Sequence, residues 1–133
     1  MNRNIYTVFS SRFPADRGAT FIETAEGRRF SYADLDAQSA SLAGFLRGLG
    51  TKPGDRVAVQ VEKSPQALFL YLACLRAGLI YVPLNPAYRQ AEIGYFLEDA
   101  APKVVVCAPE LHALVNAAAD ARTITRLYTL DSA

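Results

Sequence analysis

Two short runs of apolar residues constrain the fold of this chain more than any other feature of its sequence. Residues 79–84 (LIYVPL) and 104–107 (VVVC) coincide with two predicted β-strands, and neither run alternates apolar with polar residues as a half-exposed sheet does. Segments with helical spacing separate the predicted strands, so that four strands alternate with three helices. This order predicts a Rossmann-like α/β layer, in which helices cover both faces of a parallel sheet.

Local patterns place the elements of this layer. Ser64 and Pro65 suit the N-cap and the first position of a helix that runs to Gly78. A second helix is predicted from the apolar positions Ile93, Phe96, Leu97 and Ala100. The strands are predicted over residues 56–61, 80–84, 103–107 and 124–130, and a third helix over residues 110–121.

A helix and a β-hairpin are predicted ahead of the layer. Residues 5–13 have helical spacing, and Pro14 stops that helix. Residues 20–24 and 28–31 flank a turn at 25–27, which is typical of a hairpin.

The next helix has the clearest start signal. Ser31 followed three residues later by Asp34 is typical of a capping box, and Gly50 marks the end of the helix. We expect its buried face to consist of Leu35, Leu42, Phe45, Leu46 and Leu49.

Length and charge restrict the class of protein. A chain of 133 residues fits one domain, and no change in composition marks a second, so residues 1–133 are predicted to form one unit. A composition of 51% hydrophobic and 20% charged residues is not typical of disordered chains. Because 14 Lys and Arg nearly balance 13 Asp and Glu, neither a nucleic acid nor an acidic membrane surface is an expected partner.

Cysteine usage and hydropathy indicate the compartment. Cys74 and Cys107 lie inside apolar runs, which predicts buried thiols in a reducing compartment. Residues 1–13 lack the apolar core of a secretory signal, and the runs at 67–75 and 79–84 are shorter than the about 20 residues that cross a bilayer. We therefore expect a cytoplasmic protein without membrane contact, and interpret the two runs as a buried helix followed by a buried strand.

An α/β layer raises the question of nucleotide binding, but the sequence has no loop suited to phosphate. Gly44, Gly48, Gly50 and Gly54 follow a predicted helix and precede a strand, which reverses the strand–loop–helix order of phosphate-binding loops. They are better explained as a helix end and a turn. The pattern G-x-x-x-x-G-K-[ST] is absent.

The side chains capable of chemistry have structural explanations. His112 is the single histidine and is predicted on a partly exposed helix, with no G-x-S-x-G motif elsewhere to complete a triad, while Cys74 has apolar neighbours that raise a thiol pKa. The other candidates are Glu98 and Asp99 at a helix end, Asp34 and Asp55 at a cap and a turn, and Arg28 and Arg29 at a hairpin edge. We therefore assign no catalytic, cofactor-binding or metal-binding residue.

Four stretches occur together in a characteristic order: residues 30–35 (FSYADL), 54–59 (GDRVAV), 75–85 (LRAGLIYVPLN) and 95–107 (YFLEDAAPKVVVC). They resemble motifs in the N-terminal portion of the adenylate-forming superfamily, which includes acyl-CoA synthetases, peptide-synthetase adenylation domains and luciferases. The third stretch is the most specific. Residues 62–65, 70–78 and 83–88 are similar to malonyl-CoA synthetases in particular, whereas peptide-synthetase domains more often have Asp where Asn85 stands.

The resemblance implies the N-terminal subdomain of an ATP-dependent acyl-CoA synthetase. In that family a carboxylate and ATP form an acyl-adenylate with release of pyrophosphate, and the CoA thiol then displaces AMP. The parent enzyme is expected to use ATP, Mg²⁺ and CoA, whose binding groups lie downstream of the matched region. We therefore expect the 133-residue chain alone to be inactive, to bind none of these cofactors, and to have the remainder of the parent chain as its partner.

Other functions remain open at this point. The parent could act on a carboxylate other than malonate, or the chain could begin a peptide-synthetase adenylation domain. A free-standing α/β module that binds or regulates without chemistry is the third alternative. If the chain is a fragment of a ligase, its sheet has lost neighbours, and we expect it to expose apolar surface and to self-associate.

Overall fold

A computed structural model describes residues 4–120 and 126–131 of the chain. Helix α1 spans Ile5–Ser11, and strands β1 (Thr20–Glu23) and β2 (Arg29–Ser31) pair antiparallel as a hairpin. Both predicted elements are thus confirmed. The helix is two residues shorter than predicted, in keeping with Pro14, which disfavours helical backbone in the residue before it.

Helix α2 (Tyr32–Gly48) begins at the predicted capping box. The Asp34 amide donates to Ser31 Oγ at 3.0 Å, and the Ser31 amide donates to Asp34 Oδ2 at 2.8 Å. Leu35 and Leu46 are buried as expected, but the prediction for Phe45 was wrong, because this side chain is 46% exposed. Its ring packs edge-on against Tyr128, and Ser39 and Ala43 occupy buried positions of the helix instead.

The remaining elements form the predicted α/β layer. In chain order they are β3 (Arg56–Gln60), α3 (Pro65–Ala77), β4 (Ile80–Pro83), α4 (Gln90–Ala100), β5 (Val104–Cys107), a 3₁₀ turn (Pro109–Leu111), α5 (His112–Asp120) and β6 (Leu127–Thr129). The four strands are all parallel, in the order β4–β3–β5–β6. Residues 121, 124 and 125, which were predicted to extend α5 and β6, lie outside the described residues.

The two faces of the sheet carry separate halves of the core. Alternate residues of β3 and β5 face α2 and α3 on one side, where Val57 and Val106 pack among buried alanine and leucine side chains. On the other side, Ala58 and Val105 pack against α4 and α5. Fully buried strands explain why the valine runs lack polar residues.

Strand β4, at one edge of the sheet, departs from the prediction that helices cover both faces of every strand. β4 pairs only with β3 among the described residues, and Ile80 at its start is 46% exposed. Strand β4 is therefore a half-exposed edge strand rather than a buried one, although Leu79 and Leu84 on either side of it are buried. Pro83 fits there because the Leu84 amide donates to Val59 O, which turns the nitrogen of Pro83 toward the open edge, where a missing donor costs nothing.

Candidate functional site

The strand order reverses between β3 and β5, at the carboxyl ends of these two strands. The chain leaves β3 through α3 on one face of the sheet, and it enters β5 from α4 on the other face. In open α/β sheets ligands bind at such a reversal of strand order, outside the carboxyl ends of the strands. The candidate site is therefore the region of Gln60, Asn85 and Ala108, each at or just after the end of one strand, and we call this region the crevice.

Gln60 is the buried polar group at the centre of this crevice. Its Nε2 donates to the carbonyl oxygens of Asn85 at 2.9 Å and of Tyr88 at 3.4 Å, and the side chain is fully buried. Its Oε1 accepts no hydrogen bond from any described residue. Gln60 thus connects the end of β3 to the loop after β4, and one buried acceptor stays available.

The loop after β4 is held in a compact turn. The Tyr88 amide donates to Asn85 O at 3.0 Å, and Asn85 Oδ1 accepts from the Ala87 amide at 2.9 Å. The Tyr88 ring stacks on Phe96 of α4, with centroids 5.1 Å apart. Hydrogen bonds at Asn85 and ring stacking at Tyr88 therefore fix both ends of the turn.

Two open grooves flank the loop after β3. One of about 540 Å³ lies toward β4 and is bordered by Glu62, Lys63 and Asn85. The other, of about 610 Å³, lies against the hairpin turn and is bordered by Glu26, Arg28 and Ser64. Ser64 Oγ accepts from the Ala67 amide at 3.1 Å, so the cap already occupies part of the N-terminus of α3.

The residues considered from sequence are placed as expected. His112 is exposed at the start of α5, and Glu98 and Asp99 are exposed on α4. Asp55 Oδ2 accepts from the Lys52 amide in the turn before β3, and Arg29 lies 3.5 Å from Glu23 across the exposed hairpin. None of these side chains lies in the crevice.

Both cysteines are buried in the core. Burial raises the pKa of the Cys74 thiol to about 12. Burial, and to a lesser degree Glu110, raises the pKa of the Cys107 thiol to about 11. Each thiol therefore stays protonated at neutral pH and packs as a small apolar group.

The polar cluster around Arg76 was missed from sequence. Arg76 Nη1 donates to Asp36 Oδ1 at 2.8 Å and to Ser39 Oγ at 3.2 Å, and its guanidinium lies 4.3 Å from the centre of the Tyr6 ring. Asn4 donates to the carbonyl oxygen of Leu75 at 2.7 Å. These contacts fasten α1 to α2 and α3. The available signal was Arg76 itself, which belongs to the most specific motif, but the residues that bond to it are 29 to 72 positions away in the chain.

Among the residues the structure describes, no three His, Cys, Asp or Glu side chains are grouped so that they could hold a metal ion. Within the same residues, no helix combines the length and the apolar character needed to cross a bilayer.

Comparison with known proteins identifies the family. Residues 8–133 match the family described as AMP-binding enzyme, which covers nearly the whole chain. The chain therefore belongs to the AMP-binding, adenylate-forming enzymes, and its fold matches the N-terminal portion of acyl-CoA synthetase structures. Both the resemblance and the fold class predicted from sequence are confirmed.

Particular members of the family show how far the similarity extends. The crystal structure of apo MatB from Rhodopseudomonas palustris shares 43% identity over 99% of this chain, with a TM-score of 0.90, and ATP-bound MatB shares 42%. A long-chain-fatty-acid–CoA ligase of Bacillus subtilis is 35% identical over 78% of the chain. Nonribosomal peptide synthetase 5 of Gibberella zeae is 33% identical over 87%. The chain spans 26% of the MatB chain, 18% of the Bacillus ligase and 1% of the Gibberella synthetase.

Proposed function

We propose that residues 1–133 form the N-terminal subdomain of an acid–thiol ligase of the malonyl-CoA synthetase type. The whole enzyme would convert a carboxylate, ATP and CoA into acyl-CoA, AMP and pyrophosphate in the cytoplasm. The observation that carries this proposal is the 43% identity to MatB along 99% of the chain, which exceeds the identity to the fatty-acid ligase in both extent and degree. The two free, buried thiols support a reducing compartment.

Within that enzyme we assign the described residues a scaffolding role. A triphosphate needs several free backbone amides, and Ser64 already caps the first turn of α3, while the loops at 61–64 and 84–89 contain no glycine. Mg²⁺ needs a set of oxygen ligands, and the described residues do not group enough carboxylates to supply one. These residues therefore do not fit ATP or Mg²⁺, and we derive no chemical step from them; groups for ATP, Mg²⁺ and CoA would come from the rest of the enzyme.

A hybrid enzyme tests this proposal. The chain is joined in place of the matching portion of R. palustris MatB, and malonate-dependent release of pyrophosphate and formation of the thioester are measured. We expect a folded hybrid to work within about tenfold of the MatB rate, a change of roughly 1.4 kcal/mol in activation free energy. A folded hybrid that binds malonate and ATP but has lost turnover by several orders of magnitude contradicts the proposal.

A second candidate function is the start of a peptide-synthetase adenylation domain. It is favoured by the match to the Gibberella zeae peptide synthetase over 87% of the chain and by 38% identity to tyrocidine synthase 2 of Brevibacillus parabrevis over 61%. The matched hybrid, with the chain joined to an adenylation domain of the tyrocidine synthase, is assayed for amino-acid-dependent exchange of pyrophosphate into ATP. Activity in this hybrid and not in the MatB hybrid would establish the second candidate.

Both candidates and a free-standing module predict that the isolated chain is inactive, and the coding sequence beyond the chain separates them. We expect the pure 133-residue protein to release no pyrophosphate from ATP with malonate or a fatty acid. Reading the coding sequence past codon 133 is a second measurement, because a continuing frame with a glycine- and threonine-rich loop supports a ligase and a stop codon supports the module.

A further inference from the structure

The exposed apolar side chains of the described residues are unevenly distributed. Five of the eight large ones lie together where α1 meets α3 and β1, while Phe45, Ile80 and Tyr95 lie elsewhere. We call this surface the apolar band, and its members are Ile5, Val8, Phe9, Phe21 and Tyr71.

The band is continuous along α1 and across to α3. Ile5, Val8 and Phe9 have the i, i+3, i+4 spacing that places side chains on one side of a helix. Phe9, Phe21 and Tyr71 border one cavity of about 230 Å³, whose remaining wall consists of further aromatic and leucine side chains. No charged residue lines that cavity among the residues that the structure describes.

The size of the band matches what a stable protein interface needs. Its members are 37% to 52% exposed. With roughly 150–250 Å² for each large side chain, they leave about 450 Å² of apolar surface in water. A standard interface buries about 800 Å² per partner, of which roughly 57% is apolar. The band alone therefore supplies about the apolar area of one such interface.

We propose that the apolar band is the contact surface between two copies of this chain. A net charge of +1 gives two copies almost no electrostatic repulsion. A two-fold axis through the band would place the α1 stripe of one copy against the same stripe of the other, as a self-complementary interface requires. The proposal depends on the fold and not on the proposed enzymatic function.

Sedimentation equilibrium tests the proposal on the full 133-residue chain. Between about 1 µM and 1 mM protein we expect a monomer–dimer equilibrium. The double variant Ile5→Glu/Val8→Glu places charges on the solvent side of α1, away from Tyr6 and the core, and we expect it to raise the dimer Kd by about tenfold or more. The matched control is Tyr95→Glu on α4, on the opposite face of the sheet, where the side chain is 65% exposed and the Kd should not change.

A labelling experiment keeps the band nearly intact. Because both native thiols are buried, a maleimide reports on an introduced cysteine. Val8→Cys should react more slowly as the protein concentration rises, and Tyr95→Cys should react at a constant rate. A monomer throughout the concentration range, an unchanged Kd in a double variant with native circular dichroism, or equal protection of Tyr95→Cys would each overturn the proposal.

Discussion

The Tyr6 hydroxyl donates a 2.6 Å hydrogen bond to Oδ1 of Asp36, and thereby joins the N-terminal helix to α2 across 30 positions of the chain. Asp36 Oδ1 also accepts a hydrogen bond from Nη1 of Arg76 at 2.8 Å, so one carboxylate oxygen connects three helices. Burial raises the pKa of Tyr6 most, and the hydrogen bond to Asp36 raises it further. The same hydrogen bond is the largest cause that lowers the pKa of Asp36, and the hydrogen bond from Arg76 is the next largest.

Stability should therefore depend on pH through Asp36. Its folded pKa lies below the value near 3.9 of an unfolded chain, so its contribution is present above about pH 4 and is lost as the pH falls through the folded pKa. At pH 7, Asp36→Asn should lower the free energy of unfolding by roughly 1 kcal/mol, because the carboxylate is half exposed. Urea unfolding at about pH 7 and about pH 3 measures both effects.

Asp99→Asn is the matched control for this prediction. Asp99 is exposed on α4, and its substitution should change the free energy of unfolding by less than about 0.5 kcal/mol. Equal pH dependence in the wild type and in Asp36→Asn would show that the contact with Tyr6 and Arg76 contributes nothing.

Gln60→Glu should destabilise the fold strongly. At pH 7 the new carboxylate would face the carbonyl oxygens of Asn85 and Tyr88 in a fully buried position, at a cost of about 3 kcal/mol or more. Gln60→Leu removes the donor without adding charge and should cost about 1–3 kcal/mol. Urea unfolding gives the free energies, and hydrogen exchange should report faster opening of the turn at residues 85–88.

The control for Gln60 is the same change at an exposed glutamine of α2. Gln38→Glu should leave the free energy of unfolding within about 0.5 kcal/mol of wild type. If Gln60→Glu is as mild as this control, the crevice is open to water and Gln60 does not hold the loop.

Two glycine-to-alanine substitutions should change the free energy of unfolding in opposite directions. Gly78 ends α3 with φ of 73°, and a Cβ there would lie 3.2 Å from Cβ of Pro53, so Gly78→Ala should cost about 1–2 kcal/mol. Gly44 lies inside α2 with open space around it, so Gly44→Ala should stabilise by about 0.5–1 kcal/mol. Thermal unfolding checks both, and a stabilising Gly78→Ala would contradict the left-handed conformation.

The two thiols should be unreactive in the folded protein. At about pH 8 a disulfide reagent should modify neither Cys74 nor Cys107 until the chain is unfolded in urea, when both react. Because their folded pKa values are about 12 and about 11, the unfolded chain loses its thiol protons first, and stability should fall as the pH rises above about 8.5. A thiol that reacts rapidly in the native protein would show that the core is open at that position.

Signals within a few residues of each other predicted most of the fold. The reciprocal bonds of Ser31 and Asp34, the start of α3 at Pro65 and its end at Gly78 all follow from short sequence patterns. The valines of β5 predicted a strand buried on both faces because no polar residue interrupts them.

The features that sequence did not predict depend on distant parts of the chain. Whether Ile80 and Phe45 are covered depends on which strand lies at the edge of the sheet and on what packs beside α2, and helical or strand periodicity carries neither fact. The contacts of Arg76 with Tyr6 and Asp36 were missed for the same reason. In the candidate site, the sequence pattern places Gln60 in a strand and no more, because its role is defined by the loop that follows β4.

Pro83 also affects how this protein can aggregate. A strand from another molecule that approached the open side of β4 would find the Tyr81 amide but no donor at the next outward position, so fibril growth by sheet extension is disfavoured there. Pro83, in the most specific motif of the chain, therefore also disfavours cross-β polymerisation.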